Sequence, residues 1–237
     1  MSSVLSANRT PAGADLEPVV LAVHRDESMR KWIEVTASAA GLRALTFATA
    51  NELRARVGPK TVTCVVLDVS LPDASCFELQ RDLFRAGAAI VFLTRERCIE
   101  SCVQAMKAGA VDFLTLPCDP VRLTEALRFA LGEARKFGAL LSRYEGLTVR
   151  EREIFVLVSS GLMNKQIAHL LNISEITVQI HRGRVMKKMA AQSFASLVRM
   201  SDALRSQREP EASRPSLMAF AASGDAAHLS HGAQRNR

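Results

Sequence analysis

The sequence predicts an α/β domain built on a five-stranded, parallel, doubly wound sheet, followed by a smaller all-α domain of four helices. Three observations predict it. Between residues 18 and 136, short apolar runs alternate with amphipathic stretches five times. Those runs are near-continuously apolar, as strands covered on both faces must be. Past residue 146 the strand-like runs stop and only segments of helical period remain.

Taken in order, Val19–Val23 is the first apolar run, and polar residues follow it. Ser28–Ala40 has helical spacing and ends at Gly41, a helix-stop residue. Arg43–Ala48 reads as a strand, and Asn51–Val57 as a short helix closed by Gly58-Pro59. Val62–Leu67 is β-branched and apolar, hence a buried strand. Cys76–Arg85 is helical, Ala89–Leu93 a buried strand, and Arg97–Ala108 a helix stopped by Gly109. Val111–Leu114 is the fifth strand, and Pro120–Lys136 a long amphipathic helix. In such sheets the ligand crevice opens at the carboxyl ends of the strands. Here those ends carry His24, Arg25, Asp26, Asp68, Thr94, Leu116 and Pro117.

Residues 1–17 are small and polar and are expected to be disordered, as is the Ala-, Ser- and Arg-rich tail 207–237. Residues 137–146 are expected to be a linker between a domain at 18–136 and another at 147–206. In the second domain Thr148–Ser159, Lys165–Leu171, Glu175–Ala190 and Phe194–Ser206 read as helices. Thr148 is placed to cap the first, with Glu151 completing a capping box. Asn164, Ser174 and Ser193 are the expected caps of the other three. The second and third helices are joined so briefly that they form a helix-turn-helix.

Charge and composition narrow the function. The net charge is +7, and residues 142–206 hold ten Lys and Arg against five Asp and Glu, so the excess is concentrated where a polyanion would bind. All five cysteines lie in the N-terminal half and none forms a CxxC pair, which argues against a disulfide framework or a zinc site. No apolar run is long enough to cross a membrane, and Met1–Leu16 lacks the features of a signal peptide, so a cytoplasmic location is expected. No nucleophile–base pair or metal cluster stands out, so no enzyme activity, metal or cofactor is expected.

The third C-terminal helix carries the readable chemistry. At about 100° per residue, Val178, Val185 and Met189 fall in one narrow sector and form a buried stripe. The opposite face carries Gln179, Ile180, Gly183, Arg184 and Lys187, with Thr177 and Lys188 at its edge. Gln bonds adenine bidentately, an aliphatic touches the thymine methyl, and Arg and Lys reach phosphates or guanine. Gly183 costs about 1 kcal/mol against Ala in mid-helix; close approach to DNA accounts for it, or simply tolerated helix weakness.

Residues 147–200 resemble the LuxR-type DNA-binding domain of the NarL/FixJ response regulators through LTxRERE, GLxNKxIA, LxIS, TVxxHRxxVMxKM and SxxxLVRM. The resemblance implies that Gln179, Ile180 and Gly183 read bases. It implies that Thr177, His181, Arg182, Arg184, Lys187 and Lys188 contact or orient on phosphates. By the same likeness Asn164 and Lys165 touch the backbone, and the last helix mediates a homodimer on promoter DNA. His181 and Arg182 border the buried sector, which gives each an alternative structural role.

The N-terminal segment resembles a two-component receiver, a flavodoxin-like fold, through VVLDVSLPD around Asp68, VFLT ending at Thr94, QAMKAGAVDFL and Pro117. The family phosphorylates an Asp with Mg²⁺ held by an acidic pair after the first strand, aided by a Thr or Ser and by a Lys before the proline. Asp68 and Thr94 match. The acidic pair aligns with His24 and Arg25, and the Lys with Leu116. A register slipped onto Asp26 and Glu27 is the alternative. Arg25 would repel Mg²⁺ and pair with Asp68, and Leu116 cannot hold a phosphoryl oxygen. The expected protein is therefore a DNA-binding regulator acting without phosphorylation, answering to a sensor histidine kinase or another regulatory protein. Two readings compete: a conventional phosphorylation-activated regulator, and a protein-interaction regulator that no longer binds DNA. Phe113 aligns with an aromatic switch position but suits a core equally well. Cys76 and Cys118, on loops near Asp68, suggest an oxidant sensor only if exposed with lowered pKa values.

Overall fold

Each predicted strand places alternate side chains on opposite faces of the sheet, and both faces are covered. The structure is a computed structural model describing residues 19–57, 63–95 and 97–208, with the Arg208 side chain left out. The expectations for 1–17 and for most of the tail lie outside those residues.

Strands β1 (Val19–Val23), β2 (Arg43–Phe47), β3 (Cys64–Leu67), β4 (Ala89–Thr94) and β5 (Asp112–Thr115) form one parallel sheet in the order β2-β1-β3-β4-β5. Helices α1 (Glu27–Ala39), α2 (Ala50–Arg56), α3 (Cys76–Arg85), α4 (Ile99–Lys107) and α5 (Pro120–Glu145) complete the five units. Val20, Ala22, Val66, Val91 and Leu93 pack with α1 and α5 on one face. Leu21, Val23, Val65, Leu67, Ile90 and Phe92 pack with α2, α3 and α4 on the other. The order reverses between β1 and β3, which opens a crevice at their carboxyl ends. The β3–α3 loop is tied down there: the Asp73 carboxylate accepts from the Ala50 and Asn51 N–H groups at the start of α2, each at 3.0 Å. Those backbone bonds hold the Asp73 carboxyl below its ordinary range.

Helix α5 corrects the expected linker. It runs unbroken to Glu145, so residues 137–145 are helical and Gly146 is its C-cap. The reason is periodicity: Phe137, Leu140, Leu141 and Tyr144 recur on one helical face and pack on the C-terminal core. That core is built by α6 (Val149–Ser159), α7 (Asn164–Leu171), α8 (Glu175–Met189) and α9 (Phe194–Arg208) around Ile154, Phe155, Ile167, Val178, Val185, Met189 and Leu197. Helix α9 also continues two residues into the expected tail.

The capping box forms at α6: the Thr148 N–H donates to Glu151 Oε2 at 2.8 Å, and the Glu151 N–H to Thr148 Oγ1 at 3.3 Å. Ser174 caps α8 and Ser193 caps α9, each accepting a backbone N–H at 3.1 Å. Asn164 is not a cap. It is the first residue of α7, and Met163 takes the cap position because the Gln166 side chain accepts from the Met163 N–H at 2.8 Å. The helix-turn-helix connection is Asn172-Ile173-Ser174, and Asn172 turns the chain in the left-handed region at φ 51. Asn tolerates that region better than most residues, which suits it to the end of α7.

Candidate functional site

The crevice end of the sheet gathers His24, Asp68 and Thr94. His24 follows β1 directly, Asp68 follows β3, and Thr94 ends β4; all three are at most 4% exposed. The Asp68 N–H donates to the Val23 carbonyl and the Leu116 N–H to the Thr94 carbonyl, so ladder geometry continues into the crevice. The Asp26 N–H donates to His24 Nδ1 at 3.1 Å. A neutral imidazole that accepts at Nδ1 carries its proton on Nε2. Nε2 lies 3.6 Å from Asp68 Oδ2, within ion-pair range though beyond hydrogen-bond length. Burial holds the His24 imidazole below its ordinary value, with the Asp68 carboxylate partly opposing. The other Asp68 oxygen accepts from the Ser70 N–H at 3.2 Å.

The expected Arg25–Asp68 pair is corrected by this arrangement. The residue facing Asp68 is His24, and Arg25 is exposed. An uncharged imidazole enters the buried crevice at far lower desolvation cost than a guanidinium. Arg30 of α1 instead reaches back and donates to the carbonyls of His24 and Arg25 at 2.8 and 3.0 Å, fixing the turn. Asp26 caps α1 through Ser28 and pairs with Arg95 at 3.5 Å, so it serves the helix end. The Ser28 hydroxyl is the chief cause of its lowered carboxyl pKa. Leu116 packs against the core on the α1–α5 side, next to an exposed Pro117 joined by a cis peptide.

Three further residues are placed plainly. Phe113 stacks on Phe92 with ring centroids 5.7 Å apart. Cys76 is buried at the start of α3, and burial raises the Cys118 thiol with Asp119 adding to it. Both conditions are opposite to those a thiolate sensor needs. Among the described residues no cluster of three or more His, Cys, Asp or Glu is arranged to hold a metal ion.

The second candidate surface is the outer face of α8. Val178, Val185 and Met189 are fully buried, as the wheel requires. Gln179, Ile180, Gly183, Arg184 and Lys187 are all exposed, as is Lys165 of α7. A Cβ added at Gly183 would meet nothing within 4 Å, so nothing among the described residues demands a glycine there. The Thr177 hydroxyl shares a 2.8 Å hydrogen bond with Ser174 at the cap.

Three of the expected contacts, Asn164, Arg182 and Lys188, make hydrogen bonds inside the domain. Arg182 donates to the Asn164 side chain at 3.1 Å and lies over the Phe194 ring, linking α7, α8 and α9. His181 is half-buried, and its Nδ1 is buried with no hydrogen-bond partner among the described residues. Lys188 reaches the other way, donating to Glu151 Oε2 at 2.6 Å and to the Gly146 carbonyl at 3.3 Å. Lys188 thus locks α8 to the capping box of α6. Sequence reasoning missed Glu151 as its partner because the two are 37 residues apart and no local period links them. It also missed Arg150, whose guanidinium donates to the Leu171 carbonyl at 2.9 Å and closes the end of α7.

The Glu151–Lys188 pair has a pH consequence. The Lys188 ammonium, then the Thr148 N–H, hold the Glu151 carboxyl down to about 2, against an ordinary 4.5. A depressed folded value means the stabilisation is complete above about 4.5 and is lost as pH falls towards about 2. Lys188→Met is expected to destabilise the C-terminal domain by about 1–3 kcal/mol, less than a fully buried pair because Lys188 is half-exposed. Urea melts at about pH 7 and about pH 3 check this: the acid loss should shrink in the variant.

Residues 20–128 match the family described as the response regulator receiver domain, and residues 145–201 match the bacterial regulatory proteins of the luxR family. Nodulation protein W of Bradyrhizobium diazoefficiens is 40% identical over 200 residues, covering 81% of this chain and 88% of that protein. The transcriptional regulatory protein FixJ of Azorhizobium caulinodans is 34% identical over 196 residues, covering 78% and 93%. The solved structure of the response regulator StyR is 36% identical at a TM-score of 0.49, covering 78% of this chain and 98% of that one. The chain therefore belongs to the NarL/FixJ response regulators, transcription regulators that join a two-component receiver to a LuxR-type helix-turn-helix.

Proposed function

We propose that this protein is a cytoplasmic, homodimeric, promoter-binding transcription regulator that works without phosphorylation of Asp68. One observation carries the reading: a buried His24 lies where the family's acidic pair would place a carboxylate against Asp68. Mg²⁺ is a hard cation that takes oxygen ligands. The residues present do not fit it: an imidazole and a nearby guanidinium replace two carboxylates, and Leu116 offers no charge to a phosphoryl oxygen. His24 Nε2 instead faces Asp68 Oδ2 at 3.6 Å. The exposed cations of α8 point to duplex DNA, with α9 as the dimer helix and Lys165, Gln179, Ile180, Gly183, Arg184 and Lys187 as contacts. A sensor histidine kinase or another regulatory protein would supply the input through the receiver.

The test is direct. Purified protein incubated with a small phosphodonor and Mg²⁺ is expected to form little acyl phosphate, and Asp68→Asn is expected to bind promoter DNA as the parent does. Rapid acyl-phosphate formation at Asp68, accompanied by tighter DNA binding, would replace this reading with the conventional one. The retained Asp68 and Thr94, correctly placed at the ends of β3 and β4, are what favour that second reading.

A further inference from the structure

The outer face of α8 carries one residue more than the contacts assigned to it so far. At about 100° per residue, Ile176 lies within about 20° of Gly183 and Lys187 and about 40° of Ile180. Ile176 is 72% exposed, and Ile180, one turn on, is 51% exposed. Single exposed apolar residues are ordinary on a protein surface. These two stand in line along a face whose other exposed side chains are an amide and cations, Gln179, Arg184 and Lys187.

The first turn of the helix holds Ile176 in place. Ser174 Oγ accepts from the Thr177 N–H at 3.1 Å and shares a 2.8 Å hydrogen bond with the Thr177 hydroxyl. Val178, fully buried, anchors the same turn to the core from the opposite side. A β-branched side chain in a helix keeps essentially one χ1 rotamer, so fixing it against a ligand costs little entropy. The turn Glu175-Ile176-Thr177 has no cation to place on a phosphate; Arg184 and Lys187 come later in the helix. The amino-terminal end of a helix lying in the major groove is the part that meets base edges. There an aliphatic side chain has one discriminating partner, the C5-methyl of thymine. Four residues rise about 6 Å along the helix, close to two base-pair steps of about 3.4 Å. Gly183, between Ile180 and Lys187 on the same face, adds no side chain to hold the helix off.

We infer that Ile176 is a specificity-determining residue, and that Ile176 and Ile180 read two thymine methyls about two base pairs apart in each half-site. The inference rests on α8 facing DNA, as proposed above. The probe is duplex DNA selected by the full-length protein from a random-sequence pool. Uracil lacks only the methyl of thymine, so each thymine of one half-site is replaced by uracil in turn and binding is read by fluorescence anisotropy. Two replacements about two base pairs apart are each expected to weaken binding by about fourfold, the worth of one buried methyl group. Ile176→Ala, an exposed change to a better helix former, is expected to weaken binding of the thymine duplex by at least about fourfold. It should also abolish the penalty at one of the two positions and keep it at the other, which belongs to Ile180. The slope of log affinity against log salt should match the parent's, because no phosphate contact is lost. A parent that tolerates uracil everywhere overturns the inference, as does an Ile176→Ala variant that keeps both penalties. A parent that selects no duplex overturns it together with DNA binding itself, whereas one that binds with a steep salt slope yet ignores the methyls overturns it alone.

Discussion

Replacing His24 and Arg25 with Asp and Leu116 with Lys is expected to raise acyl-phosphate formation at Asp68 by on the order of 10²-fold or more. The argument is one of charge. With three carboxylates at the crevice, oxygen donors replace the imidazole and guanidinium, which suits Mg²⁺. A divalent ion on a phosphoryl oxygen supplies several kcal/mol of transition-state stabilisation, and about 3 kcal/mol is already about 10²-fold. The Lys ammonium adds a second cation at the strand end now capped by Leu116. The same variant acquires a liability. Asp in place of the buried His24 sets two carboxylates side by side, and one of them resists ionising unless a cation is present. Its stability should therefore become Mg²⁺-dependent, rising by about 2.7 kcal/mol at a hundredfold excess over the dissociation constant, with a matching rise in melting temperature. The parent should show no such dependence. Labelling from a small phosphodonor, with melts in and out of Mg²⁺, checks both parts; a variant no faster than the parent would show that the three residues are not what withholds phosphorylation.

The second large effect is expected at α8. Arg184→Ala with Lys187→Ala removes two exposed cations that make no hydrogen bond or ion pair among the described residues and leaves the buried stripe of Val178, Val185 and Met189 intact. Folding should be untouched, because surface changes of this kind usually stay within about 0.5 kcal/mol. Duplex affinity should fall on the order of 10²-fold, at about 1–3 kcal/mol per lost contact. The slope of log affinity against log salt should flatten by about 0.9 per lost phosphate contact, hence by about 1.8 per protomer. Gln179→Ala should behave differently: the salt slope holds, while the preference for specific over random DNA shrinks by about 1–3 kcal/mol. Salt-titrated fluorescence anisotropy separates the two patterns. An unchanged slope in the double variant would mean these cations do not face phosphates.

Much of this was legible in the residues themselves. Near-continuous apolar runs announce β1, β3 and β4 because a strand covered on both faces has no polar side to display. The stripe through Val178, Val185 and Met189 announces α8 because burial of that face is local and periodic. What was hidden is long-range or depends on the pleat. Which of His24 and Arg25 enters the crevice depends on the direction in which the chain leaves β1, set by Arg30 and by the Asp26 N–H. The commitment of Lys188 to Glu151 joins residues from different helices. The end of α5 was misread for another reason. Gly138 costs a helix about 1 kcal/mol, which argues locally for a linker there. Packing of Phe137, Leu140, Leu141 and Tyr144 overrides that cost.

That unbroken helix changes how the two halves of the molecule are coupled. Twenty-six residues at about 1.5 Å each make a rod of about 39 Å, with one end bedded in the sheet layer and the other in the helix-turn-helix. Along such a rod, spacing is also angle. A single inserted residue would swing everything downstream by about 100°, and only additions near a whole number of turns would return the recognition surface to its original bearing. The two domains are therefore geared to each other, and their mutual bearing is kept only when the shaft is lengthened in steps of about a turn.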